Sequence, residues 1–282
     1  MVKVFPLIFI LLWSSAFITT KPIIDNSDPF AALAFRFLIV ALGFFLFSIY
    51  SKQKVLIDRK NFIESFFSGI LFHGFYLGGV FFSISKGMPT GIAALIVTLQ
   101  PILTNALSGP ILNEKVTIKQ WTGVLLGFSG AAIVLGLDIG SNIPMIGLIA
   151  TIISLIAITS STIWQKKLSN NLPLSVSNMY QAFGGFTFHL VVIIFFVKPY
   201  IDFSQTFIIA ISHQILLVSF GAFTILMYLI KNNSASKTVS IFFLIPATSA
   251  FMAWLFLNES LTNLDLLGFL ITTIGVYIAT RD

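Results

Sequence analysis

The chain has 282 residues, of which 57% are hydrophobic and only 9% charged, with a net charge of +6 and a mean hydropathy of +0.98. Soluble domains carry about a quarter charged residues, so an aqueous globular fold is excluded. Zero cysteines exclude disulfides and thiolate metal sites, and the basic residues form no dense aromatic-interleaved cluster of the kind that binds nucleic acid.

In hydrocarbon every backbone N–H and C=O needs an internal partner, which leaves helices or closed barrels. Barrel strands alternate with period two, whereas this chain runs in unbroken apolar stretches near the ~20 residues that cross a bilayer. Ten transmembrane helices are predicted, at 4–24, 30–50, 62–85, 90–112, 118–137, 144–165, 174–197, 207–230, 236–257 and 263–280. The expected class is an all-α membrane protein. The first stretch reads as a helix and not a signal peptide, because Lys21-Pro22 stands where small residues would mark cleavage.

In chain order, helix 1 carries Trp13, Ser14 and Ser15. Helix 2 carries Arg36 about seven residues in, a depth at which a charge costs a few kcal/mol. One reading is an anchor for an anionic substrate group; the preferred one is structural, an ion pair with a helix end or with Asp28. On helix 3, His73 and Tyr76 share one side, with His73 about 18 Å in. It could bind substrate, relay protons or bond a neighbouring helix. Gly74 and Gly78 offer another side for close packing.

Helix 4 presents Gln100 and then Pro101, and ends near Glu114; helix 9 presents Pro246 and ends near Glu259. Each proline removes a backbone bond and gives a hinge or a static bend. The glutamates read as interface residues that cap the following helix or pair with a base such as Lys115, ahead of proton coupling. Gly123, Gly127 and Gly130 in helix 5 read as packing glycines. Trp13, His73, Tyr76 and Gln100 fall at one depth and form the candidate lining, joined by Ser14 and Ser15. His73, His189 and His213 lack metal-ligand spacing, and no phosphate-binding loop is present. No catalytic or metal site and no cofactor are expected.

Lys and Arg mark the cytoplasmic side. With the start of the chain cytoplasmic, that side holds twelve of the 16 basic residues and the opposite side Lys21, Lys86 and Lys198, with Arg36 inside helix 2. Both termini are expected in the cytoplasm.

Shifted by 145 residues, the stretch 86–134 lies over 231–279 without a gap. Pro101 meets Pro246, Asn113-Glu114 meets Asn258-Glu259, Gly123 meets Gly268 and Gly130 meets Gly275. The chain is read as two five-helix repeats, 1–140 and 141–282. Five being odd, the second repeat enters the membrane from the other face, and inverted repeats support alternating access around a site near the midplane. The halves have diverged, with Ile158 at the place of Trp13 and Gln181 at that of Arg36.

The pattern Trp13-x3-Phe17-x3-Lys21-x7-Pro29-x6-Arg36-x4-Ala41, followed by Pro101, Glu114, Gly123 and Gly130 and their repeats, resembles the EamA family of the drug/metabolite transporter superfamily. That resemblance implies a secondary transporter in the bacterial inner membrane with a cavity lined by helices 1, 3, 4, 6, 8 and 9. It implies small-molecule substrates, amino acids or related metabolites by export; with no ATP-binding motif in the chain, the expected driving force is a gradient of substrate, proton or another ion. Exchange or uptake of nucleotide-type or cofactor metabolites is the alternative. An intramembrane lipid-modifying enzyme is the rival class, and the chain lacks the density of ionisable groups it would need.

Overall fold

The computed structural model describes residues 4–88, 90–135, 143–168, 172–257 and 262–281. They form ten helices: α1 (Phe5–Asp25), α2 (Pro29–Tyr50), α3 (Arg59–Ser85), α4 (Thr90–Val97 and Gln100–Leu112), α5 (Ile118–Leu135), α6 (Met145–Leu168), α7 (Leu174–Phe196), α8 (Gln205–Asn232), α9 (Ala235–Ser240, Ile241–Phe243 and Leu244–Leu257) and α10 (Asn263–Thr280). Nine of the described helices are long and apolar enough to cross a membrane, and Ile118–Val134 is a shorter apolar one.

Local chemistry sets the starts. Asp28 accepts from the Phe30 and Ala31 N–H groups ahead of Pro29, and Asp58 caps α3 through the Asn61 N–H. Ser204 and Ser234 cap α8 and α9, and Thr262 with Asp265 forms a capping box on α10. The Asp58 cap is why α3 begins at Arg59, a few residues before its apolar run.

Two departures from plain helices carry the duplication into the backbone. Within α3, Ile70–Leu77 winds as π-helix, and within α8, Gln214–Ala222 does the same. A shift of 145 residues places 70–77 on 215–222, inside the second π segment. The prolines interrupt α4 and α9 in register as well. Pro101 has no N–H for the Val97 carbonyl, so α4 breaks between Val97 and Gln100 and the chain tightens, Leu99 N–H bonding Ile96 O at 3.1 Å. In α9 the tightened stretch is the 3₁₀ turn Ile241–Phe243, just before Pro246.

Packing pairs each helix with its repeat mate or with symmetric partners. α5 lies along α10 and α2 along α7, while α1 meets α9 as α6 meets α4. The α5–α10 seam is built on glycine. A Cβ at Gly130 would sit 2.5 Å from the Thr272 nitrogen and 2.6 Å from the Gly268 carbonyl, and one at Gly275 would sit 2.3 Å from the Gly127 nitrogen. The molecule is thus two five-helix repeats of opposite sense, joined along their own symmetric helices.

Candidate functional site

An aromatic layer occupies the junction of α1, α3, α8 and α9. Trp13 lies 5.3 Å from Phe9, 6.1 Å from Phe72 and 5.8 Å from Phe242, ring centre to ring centre. Phe72 in turn touches Tyr76, His73 and Phe223 at 5.1–5.3 Å. Helical spacing of 72, 73 and 76 puts these rings on adjoining sides of α3. The structure therefore brings Trp13, Tyr76 and His73 together. His73 itself lies between Phe37 (4.4 Å) and Phe223 (4.6 Å), with no partner for its Nδ1. Its carbonyl accepts from His189 Nε2 at 3.0 Å. Gly74 and Gly78 face Phe188 and His189 of α7, the close packing expected of them.

Gln100 lies apart from this group. It is 1% exposed and donates to Thr162 of α6 at 3.0 Å, while its Oε1 has no partner. Ser14 is used in packing: its hydroxyl donates to the Ile245 carbonyl at 3.3 Å, and Ser249 donates to the Ser14 carbonyl at 3.2 Å. These bonds clamp α1 to α9 on both sides of Pro246. Ser15 turns the other way, 3.1 Å from His213 Nε2.

Ser15 opens the first of two buried polar networks. His213 of α8 stands between Ser15 and Thr19. Beside it, Gln214 Nε2 donates to Ala16 O, Thr19 Oγ1 and Thr20 Oγ1 at 3.2–3.3 Å. Its Oε1 accepts from Arg36 Nη1, and Arg36 Nε donates to Ser219 Oγ at 2.9 Å. Among the described residues the expected ion pair of Arg36 with Asp28 or a helix end is absent; Asp28 instead accepts through Oδ1 from the first N–H groups of its own helix. Burial holds the Asp28 carboxyl above the ordinary range, against the Ala31 and Phe30 N–H groups and Lys86.

The second network lies between α3, α4, α6 and α7. Ser161 donates to the Ser68 carbonyl at 3.0 Å, and Gln165 Nε2 reaches Ser161 Oγ at 3.1 Å and Gln181 Oε1 at 2.9 Å. Gln165, Ser177, Gln181 and Met227 border a small cleft. Along α4, Gln100 Oε1, Thr104 Oγ1 and both amide atoms of Asn105 are buried without a partner. The 145-residue shift carries Thr20 onto Gln165 and Arg36 onto Gln181. The repeats being inverted, the two networks lie toward opposite membrane faces. On α1, α3 and α8 the chain order sets the aromatic layer between them.

Among the described residues Glu114 neither caps α5 nor pairs with Lys115. Its carboxylate accepts from the Ala235 and Ser236 N–H groups at 2.9 and 3.4 Å, closing the start of α9. Its repeat counterpart Glu259 lies outside the described residues.

The profile of the EamA-like transporter family matches twice, over residues 4–136 and 145–281. The chain belongs to the EamA-like transporter family. Among its relatives, the uncharacterized transporter YvbV of Bacillus subtilis is 24% identical over 95% of this chain and 87% of its own. A probable amino-acid metabolite efflux pump of Escherichia coli is 24% identical over 98% of this chain and 93% of its own. A solved crystal structure superposes with a TM-score of 0.84 at 16% identity, covering 99% of this chain and 96% of the other, which shows the fold.

For this EamA-like transporter, reasoning from sequence did not pick out Gln214, Ser219, Gln165, Thr162 or Asn105. Isolated polar residues within apolar helices were the available signal, and Gln165 and Gln181 could have been flagged by their register with Thr20 and Arg36. Nothing in the sequence marks the π segments that turn Gln214 and Ser219 toward Arg36.

Proposed function

We propose that the protein is a secondary transporter exporting small metabolites, amino acids or related compounds, by alternating access across a bacterial inner membrane. The observation that carries this reading is the pair of buried polar networks, related by the duplication and facing opposite sides of one aromatic layer. A solute held at that layer meets hydrogen-bonding groups whichever side opens. The repeats 1–140 and 141–282 exchange conformations, Pro101 and Pro246 act as hinges, and Trp13, His73, Tyr76 and Gln100 border the path. The relative named as an amino-acid metabolite efflux pump supports the substrate class and the direction. The charge bias of the loops supports placing both termini in the cytoplasm. No nucleotide-hydrolysing motif is present, so a gradient of substrate, proton or another ion drives flux.

Flux of radiolabelled amino acids into and out of proteoliposomes tests this. Gradient-dependent flux is expected in the wild type, falling about tenfold or more in His73→Ala and Gln100→Ala with insertion unchanged. Absence of flux across a broad metabolite panel removes the transport reading, and normal kinetics in both variants removes those residues from the path.

A further inference from the structure

Arg36 is a buried cation without a counter-charge. It is 4% exposed, about 10 Å into α2 at 1.5 Å per residue. Its bonded partners, Gln214 and Ser219, are both neutral. Among the described residues no carboxylate lies within 4 Å of it, the recorded ion pair being Lys21–Asp25. His213, in the same network, is neutral or cationic and supplies no negative charge either. Among the described residues no acceptor meets Nη2, so one corner of the guanidinium fork is unfilled. Hydrogen bonds to neutral groups satisfy N–H donors, and the Phe37 ring, centred 5.2 Å from the guanidinium carbon, adds a cation–π contact, but neither brings a full counter-charge into this low-dielectric site.

The duplication shows that the fold does not require this cation. At the equivalent place in the second repeat stands Gln181, and the positions matching Gln214 and Ser219 are Gly69 and Gly74. There the helices close directly: a Cβ at Gly69 would lie 2.0 Å from the Gln181 carbonyl. One seam is sealed by glycine. The other is held apart by a charged and hydrogen-bonded side-chain set, next to the half-buried His213, Ser15 and Thr19.

We infer that Arg36, held by Gln214 and Ser219, is a subsite for the carboxylate of the transported solute. This rests on the transport reading and deepens it: the substrates are small carboxylate-bearing solutes such as α-amino acids. The planar fork suits a carboxylate, which Nη2 meets without disturbing the bonds already made.

The test is competition in proteoliposomes of phosphatidylcholine, using L-leucine, L-threonine and L-phenylalanine against their C-terminal amides. The wild type is expected to prefer the acids by about tenfold or more, the size of a charge-assisted hydrogen bond. Arg36→Gln should abolish that preference. Gln214→Glu keeps the shape and the bond from Arg36 Nη1 and gives Arg36 an internal carboxylate in exchange for the Nε2 donation to Ala16 O, so it should fold and lose the preference too. That variant decides the matter if Arg36→Gln does not fold. Equal competition by acids and amides in the wild type, or a preference that survives Gln214→Glu, overturns the carboxylate assignment while leaving transport standing. A preference that vanishes when anionic phosphatidylglycerol replaces zwitterionic phosphatidylcholine assigns the site to an anionic lipid headgroup and overturns it as well. Failure of every solute to move sinks the transport reading, and this inference with it.

Discussion

Glu114 leaves the end of α4 and serves the start of α9, some 120 residues away in the chain. Its two oxygens meet the Ala235 and Ser236 N–H groups, the unpaired donors of a helix start, where the helix dipole also favours negative charge. Ser108 joins the same corner through Ser236 Oγ at 3.0 Å. A half-buried cap of this kind is worth about 1 kcal/mol. Glu114→Ala should lower the melting temperature in detergent accordingly, with Glu114→Gln between it and the wild type. Unchanged melting in Glu114→Ala would show that the bond carries no stability.

Between helices, stability depends on how closely backbones approach. In lipid there is no hydrophobic gain from bringing apolar helices together, so close packing at small residues does that work. The seam of α5 and α10 is the clearest case, since a Cβ at Gly130 would run into backbone atoms of α10 that cannot rotate away. Gly130→Ala is expected to cost about 1–3 kcal/mol as the helices are forced apart. Gly109 in α4 is the contrast: its nearest neighbour to a new Cβ is the Glu114 carbonyl oxygen at 3.8 Å. Gly109→Ala should therefore gain up to about 1 kcal/mol from helix propensity. Opposite signs for the two alanines, read from thermal melting, are the expected result; equal effects would mean the seam is not glycine-limited.

Across the whole molecule, inverted repeats give two arrangements of similar energy only if the chain threads the membrane as proposed. The absence of cysteine makes this directly measurable. Single cysteines at Lys54 and Lys198, both exposed and in loops of opposite parity, should react with an impermeant maleimide from the cytoplasmic and the outer side respectively. Labelling of both from one face, or reversed, would break the proposed orientation.

Hydropathy and the 145-residue register were enough to reach ten helices and the inverted duplication, and the motif from Trp13 to Ala41 with the repeated Pro, Glu and Gly positions carried the resemblance to the family, because these depend on composition and on positions along one chain. The same register exposed Arg36 as unmatched by Gln181. Contacts between helices were beyond it. That Ser14 would clamp α9, that Gln100 would turn to Thr162 away from His73, and that Glu114 would reach Ala235 depend on helix rotation and approach. So does the choice of Gln214 and Ser219 over Asp28 as partners of Arg36, which the π-helical winding of α8 decides. A polar side chain in an apolar helix announces its need for a partner, and only the packed bundle supplies one.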